Sequence, residues 1–366
     1  MKIEQPIKKI LTATRHLWDK AMTRPVVREN FLKLLNCRTD ALGAAIYASE
    51  HEEKIVYYTC KSRICPSCGQ RLTDIWQREL LASLPDVPYR GVVFTMPKEL
   101  WPIFQENRHL LDDLPVLGAK ALEQWFRTKH GVSVYVFVVP HTFSRNLGFN
   151  SHLHVLVSDG GLRVSDSTWI PALGVNENAV MRIWKQGVIA LLLEAMKSEV
   201  LKYNVDPDEL REELIALGDR WWNVKINRVE SKKHFLEYAC RYVRRPPIAQ
   251  RRFLEITDQE VSFITNDLKT KKVVPTNYSL TGFVAAFAEH VPDRYRHAVR
   301  YFGLLAPASK GRTAAGIFAI LGQPVRPKPK RLSWAMSRLQ SFGIDPLIDS
   351  KGQRMQLIKR LAPVTK

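Results

Sequence analysis

Two apolar runs, VSVYVFVV at 132–139 and HLHVLVS at 152–158, do most to restrict the folds open to this chain of 366 residues. Both are rich in β-branched residues and of strand length, which predicts two strands. The segment between them, Pro140 to Ser151, contains Asn146, Gly148 and Asn150, residues that suit a long hairpin connection. Further strands are expected at 90–96, closed by Pro97, and at 221–229, with a hairpin over 251–274. Helical periodicity runs through PIKKILTATRHLWDKAM, VRENFLKLLNC and RLTDIWQRELLASL, through 98–129 and 176–203, through the acidic stretch 206–217, and again near 280–290. Residues 231–245, SKKHFLEYACRYVRR, also read as a helix, which must stop at Pro246-Pro247. QPVRPKPKRL (323–332) reads as an extended linker.

The second strand carries His152 and His154 two apart, hence on one face. Adjacent imidazolium charges repel, and neither ring belongs in a dry core; a divalent metal resolves the conflict. A hairpin folds His141 back opposite the pair, so that His-x10-His-x-His offers three nitrogen ligands, with Asn150 and Asp159 as alternatives for the third. Such a metal leaves coordination positions open and can polarise a phosphate oxygen.

A nucleophile for that phosphate is available in YACRY, where Tyr238 and Tyr242 stand i, i+4 on one stripe of a helix. Phenol attack leaves a 5′-phosphotyrosine and a free 3′-hydroxyl, conserving the bond energy for resealing. Paired aromatics at this spacing also suit plain core packing. Arg241, Arg244, Arg245, Arg251 and Arg252 cluster around and after this helix and suit a single-stranded DNA backbone; a solvated charged face is the other reading.

The chain's charge agrees with a polyanionic partner. Fifty-five Lys and Arg against 36 Asp and Glu give a net charge of +19, a surface that gathers nucleic acid. No apolar run approaches membrane-helix length and the N-terminus lacks a signal-peptide core, so a cytoplasmic, nucleoid-associated protein without a membrane partner is expected.

Four of the five cysteines fall in the first seventy residues. Cys60-x4-Cys65-x2-Cys68 has a knuckle-like CPxCG half, and Cys37 completes a tetrahedral zinc set, with His51 as a substitute should one thiol be absent from it. Buried free cysteines are the alternative. The zinc expected here is structural and holds a basic module carrying Lys61, Arg63 and Arg71.

Taken together these motifs resemble the rolling-circle HUH transposases of the insertion-sequence-91 type, including common-region element relatives. CRTDALGA (37–44) and TCKSRICPSCGQ look like their zinc-binding domain, and VVFTMPKELWPIF like the opening of their nuclease domain. HTFSRNLGFNSHLHVLVSDGG (141–161) is similar to the HUH hairpin, YACRYVRRPPIAQRRF to the tyrosine motif, and VPDRYRHAVRYFGLLA to the closing segment. The likeness runs from the cysteine cluster to about residue 312. It implies an α+β fold, a central antiparallel sheet flanked by helices, preceded by a helical zinc-binding domain. It implies three units: 1–85 (zinc and DNA binding), 86–312 (HUH endonuclease) and 313–366 (basic linker and small C-terminal segment). It implies His152 and His154 as ligands of Mg²⁺ or Mn²⁺, with His141 favoured as the third, and Tyr238 and Tyr242 as nucleophiles. The expected activity is nicking and joining of single-stranded DNA at element ends, completed by host replication machinery.

Two departures stand out. Where family members commonly carry a further CxxC, this chain has YASEHEE (47–53), and IDPLIDSKGQRM (344–355) lacks the C-terminal CPxCG found in many, so no second zinc site is expected there. A plasmid replication initiator or relaxase would use the same chemistry, although no helicase P-loop is present. A non-catalytic zinc-ribbon DNA-binding regulator is the alternative from another class.

Overall fold

Side-chain alternation along the two apolar runs organises the middle of the molecule. The computed structural model describes residues 5–20, 23–229, 246–267, 270 and 272–364. In chain order, helices α1 (Pro6–Ala13), α2 (Arg15–Trp18) and α3 (Pro25–Leu35) precede a hairpin of β1 (Ala44–Ala48) and β2 (Glu53–Tyr57) and then helix α4 (Pro66–Ser83). Next come β3 (Tyr89–Phe94), α5 (Trp101–Glu106), α6 (Leu114–His130), β4 (Val132–Ser133), β5 (Tyr135–Phe143) and β6 (Phe149–Ser158). They are followed by β7 (Gly160–Arg163), β8 (Thr168–Pro171), α7 (Glu177–Lys197), α8 (Pro207–Asp219) and β9 (Val224–Val229). The C-terminal third holds β10 (Phe253–Ile256), β11 (Glu260–Asn266), β12 (Val273–Ser279), the helix Leu280–Glu289 and β13 (Arg300–Gly303). Helices Pro307–Ile320 and Trp334–Phe342 and strand β14 (Gln356–Leu361) complete it. Proline opens α1, α3, α4 and α8, where its fixed φ suits the first turn and its missing N–H costs nothing.

Five strands form the central sheet in the order β13-β5-β6-β3-β9, every neighbouring pair antiparallel. Val136 and Val138 of β5 and Leu153, Val155 and Val157 of β6 share one core with Phe126 of α6 and with Trp184 and Val188 of α7. Each such side chain, fully buried, contributes roughly 1.5–3 kcal/mol. α6 lies close against the sheet because Gly118 has no Cβ; one there would stand 2.6 Å from the Leu153 Cδ1. The alternate residues Tyr135, Phe137 and Leu156 pack on the other face under Trp76 and Leu80 of α4 and Ile317. With both faces covered, the strands read as continuous apolar runs. The fold is α+β, as expected.

The hairpin is tighter than the sequence predicts, because β5 continues through Pro140 and His141 and β6 begins at Phe149. β13 pairs only with Tyr135–Val138, so Pro140 lies where β5 is an edge and its missing donor breaks no ladder bond. Val132 and Ser133, expected in the same strand, peel away to pair with β7.

A second core joins parts distant in sequence. Ile10, Phe31 and Leu34 of the N-terminal helices pack with Phe253, Phe263, Phe283 and Phe287, so residues 253–291 share their core with the first 68. Phe31 and Phe287 stack at 5.8 Å. β14 pairs with β1, giving the zinc-module sheet the order β14-β1-β2, which the expectation of a helical module did not contain. The stretches YASEHEE (47–53) and IDPLIDSKGQRM (344–355) meet here: Ser49 Oγ donates to Asp349 Oδ2 at 2.6 Å, and the Ser350 N–H to Glu52 Oε2 at 3.0 Å.

Candidate functional site

His141 and His152 are direct cross-strand partners, and His154 faces Val139 one step further along the hairpin. Since opposed residues share a face, the three imidazoles converge where the apolar cover of the sheet ends. Their ring centroids are 5.4 Å (141–152), 5.0 Å (141–154) and 5.0 Å (152–154) apart. One ring nitrogen from each lies within 4.8 Å of the others. Burial lowers the basicity of His152, and burial together with the neighbouring rings pushes the His154 pKa down to about 2. Neutral rings are what a cation needs, since each then offers a lone pair. His152 Nδ1 lies 2.9 Å from the Asn150 carbonyl oxygen; donating there, it leaves Nε2 to point at the cluster. The Asn150 side-chain oxygen is buried with no hydrogen-bond partner among the described residues, which keeps it available as a further oxygen ligand.

Asp159, the other alternative, lies elsewhere. It is fully buried at the far end of β6, with Oδ1 2.8 Å from Arg90 Nε and Oδ2 3.4 Å from Arg228 Nε. Breaking a buried ion pair on one side costs about 3 kcal/mol or more. Asp159→Asn is therefore expected to lower unfolding stability by about that amount while leaving divalent-metal affinity unchanged, read by urea denaturation and titration calorimetry; a matching loss of metal affinity would return Asp159 to the cluster.

Sequence reasoning missed His290, whose Nε2 lies 2.8 Å from the Leu147 carbonyl oxygen while Nδ1 accepts from Thr142 Oγ1 at 3.2 Å. It ties the hairpin turn and the neighbour of His141 to the end of helix 280–289. A lone histidine near a helix end carries no signal of this kind. Beside His141 lies a cavity of about 100 Å³ whose wall includes Arg108, Arg296, Ser151 and Pro247.

The four cysteines Cys37, Cys60, Cys65 and Cys68 also converge, their sulfurs within 4.8 Å of one another. Cys37 Sγ stands 3.9 Å from both Cys65 Sγ and Cys68 Sγ, and Cys60 Sγ 3.8 Å from Cys68 Sγ. Tetrahedral bonds of about 2.3 Å place sulfurs about 3.8 Å apart, so the set fits zinc without adjustment. The Cys60 N–H donates to Cys37 Sγ at 3.5 Å. His51 sits exposed in the β1–β2 turn, outside the cluster.

Tyr238, Tyr242, Arg241, Arg244 and Arg245 lie outside the described residues. Arg251 is exposed. Arg252 is half-buried: its Nε donates to the Ile264 carbonyl at 2.8 Å, a second nitrogen donates to the Arg145 carbonyl, and the guanidinium lies 5.2 Å over the Phe263 ring. These contacts tie the hairpin turn to β11.

Comparison with known proteins bears on both clusters. Residues 9–96 match the family model described as "Transposase zinc-binding domain", and residues 136–313 the one described as "Putative transposase". The first holds all four cysteines and the second all three histidines. The chain belongs to the insertion-sequence-91-type transposases. It is 28% identical to the transposase for insertion sequence element IS801 of Pseudomonas savastanoi pv. phaseolicola, over 93% of this chain and 86% of that one. It is also 28% identical to "Putative transposase y4qJ" of Sinorhizobium fredii, over 79% of this chain and 77% of the relative. No solved structure matches. As a member of this family the transposase acts on DNA and contains a zinc-binding domain. No described helix is long and apolar enough to cross a membrane.

Proposed function

We propose that this transposase nicks and rejoins single-stranded DNA at element ends through a 5′-phosphotyrosine, with His141, His152 and His154 holding the catalytic cation and Tyr238 and Tyr242 as nucleophiles. The observation that carries the reading is the convergence of three imidazoles at the open end of the hairpin. Mg²⁺ or Mn²⁺ held there supplies Lewis-acid polarisation of a phosphate oxygen. The protein's own groups do the rest. A phenol oxygen bonds to phosphorus, the phosphorus–O3′ bond breaks, and the departing 3′-oxygen takes up a proton. The reverse attack, by a 3′-hydroxyl on the phosphotyrosine, rejoins strands without ATP.

Chain geometry supports the tyrosine assignment. β9 ends at Val229, opposite Tyr89 and thus at the sheet end remote from the histidines. The described chain resumes at Pro246, and Pro247 lines the cavity that includes His141. Tyr242 is five residues before Pro247, a tether of at most about 18 Å. Arg251, together with Arg241, Arg244 and Arg245, supplies cations for the incoming backbone, and host enzymes replicate the displaced strand. In the zinc-binding domain the four cysteines hold the metal that fixes the module.

The test is to incubate the protein with single-stranded element-end DNA and Mn²⁺, denature it, and map any surviving covalent adduct by mass spectrometry. Phosphonucleotide on Tyr238 or Tyr242 is the expected outcome. An adduct on another residue, or nicking without any adduct, overturns the proposal.

A further inference from the structure

A groove of about 1230 Å³ runs between the β1–β2 hairpin, α4 and the linker 323–332, and none of the three histidines lines it. We infer that this groove is a second binding site for single-stranded DNA, distinct from the cleavage site, with the linker as one of its walls. It rests on the reading of single-stranded DNA as substrate and not on the tyrosine chemistry.

Charge is the first support. Lys61, Arg71 and Arg78 line the groove from the zinc module, and Lys328, Lys330 and Arg331 from the linker, with Glu79 as the one acidic residue in the lining. Elsewhere on the surface, arginines find carboxylates, as in Arg28–Asp19, Arg220–Glu99 and Arg294–Glu29. Among the described residues none of these six groove cations is in a salt bridge. Cations gathered in a concave site with no carboxylate partners attract a phosphate backbone and release its counterions.

Aromatic rings are the second support, and they choose the kind of nucleic acid. Tyr57 and Tyr58 are 40% and 39% exposed, and Trp334 stands in the same lining. Rings interleaved with cations are a platform on which unpaired bases stack, whereas a duplex hides its base faces. Tyr58 is two residues from Cys60, so the cysteine cluster fixes this wall directly.

The linker is held at both ends. Gln323 exchanges two hydrogen bonds with the Asp86 backbone, at 2.8 and 3.0 Å, and Arg326 pairs with the Asp86 carboxylate. At the other end Ser333 caps helix 334–342, and Gln70 of α4 donates to the Ser341 carbonyl at 3.1 Å. Pro324, Pro327 and Pro329 keep the span between extended. Its cations are thus ordered before the ligand arrives, which lowers the entropy cost of binding.

The test is fluorescence anisotropy of the full chain with a labelled single-stranded oligonucleotide, without added divalent metal, so that a failure of the nuclease reading leaves the result standing. Replacing Lys328, Lys330 and Arg331 together by Gln is expected to weaken binding about fiftyfold at physiological salt. It should also reduce the slope of log K against log salt by about 2. Tyr58→Ala is expected to weaken binding about tenfold with the salt slope unchanged. Trp334→Ala should do the same, and Trp334→Phe, which keeps a ring in place, should restore most of the loss. A control of equal charge change, Lys197→Gln, Lys202→Gln and Arg211→Gln together, should leave affinity within about twofold. The inference is overturned if the control triple weakens binding as much as the groove triple. It is equally overturned if duplex DNA binds as tightly as the single strand and the ring substitutions have no effect.

Discussion

His154→Ala is expected to slow metal-dependent nicking of single-stranded DNA by about three orders of magnitude. His154 is one corner of the cluster, 5.0 Å by ring centroid from each of the other two rings, so its removal leaves only two of the three nitrogen ligands, on His141 and His152. Lewis-acid stabilisation of a phosphoryl transition state is worth several kcal/mol, and about 4 kcal/mol corresponds to about a thousandfold. His141→Ala and His152→Ala should fall in the same range. Three imidazole nitrogens suit Mn²⁺ better than the oxygen-loving Mg²⁺, so nicking should saturate at lower Mn²⁺ concentration. Replacing both Tyr238 and Tyr242 by Phe should remove the covalent adduct entirely, since no phenol oxygen remains, while leaving Mn²⁺ affinity as it was. That contrast separates the two roles: histidine variants lose metal affinity and rate together, the phenylalanine variant loses chemistry alone. Undiminished nicking by His154→Ala in limiting Mn²⁺ would remove the histidines from the mechanism.

What the sequence reveals of this site follows from how local its signals are. His152 and His154 share a face because a strand has a period of two, and His141 joins them because a hairpin folds it back; both are short-range facts. The cysteine turn is equally local, since CPxCG places two thiols on one turn and leaves Cys60 and Cys37 to close the set. Asp159 shows the limit. It directly follows the same strand and is a good ligand type, yet Arg90 and Arg228, from β3 and β9, hold it in another place. Nothing near residue 159 announces those partners. His290 is hidden for the same reason, acting on Thr142 and Leu147 from almost 150 residues away. β14 is exposed along most of its length, so it has little apolar alternation to read, and its partner β1 lies some 300 residues earlier. The core shared by Phe31 and Phe287 is likewise a tertiary fact. Each helix there presents an apolar face that periodicity reveals, but periodicity does not say which face covers which.

Cys68→Ser is expected to release zinc and to unfold the N-terminal module, a large stability effect for a single substitution. Structural zinc bound by small domains is worth about 10–16 kcal/mol of apparent binding free energy at neutral pH, and that energy becomes folding energy where no site exists in the unfolded chain. Cys37, Cys65 and Cys68 are built into the same core as Ile10, Phe31, Leu34, Phe283 and Phe287. Loss of the metal therefore reaches beyond the module into residues 253–291, and with them the hairpin turn that His290 and Arg252 tie down. The melting temperature should fall by roughly 10 °C or more. A strong chelator should produce the same fall in the unsubstituted protein, more readily as pH decreases, because protons compete with zinc for the thiolates. His51→Ala, outside the cluster, should keep both the metal and the melting temperature. Metal analysis together with calorimetric melting decides the matter: zinc retained in full by Cys68→Ser, with an unshifted transition, would mean that these four sulfurs gather for some reason other than a metal.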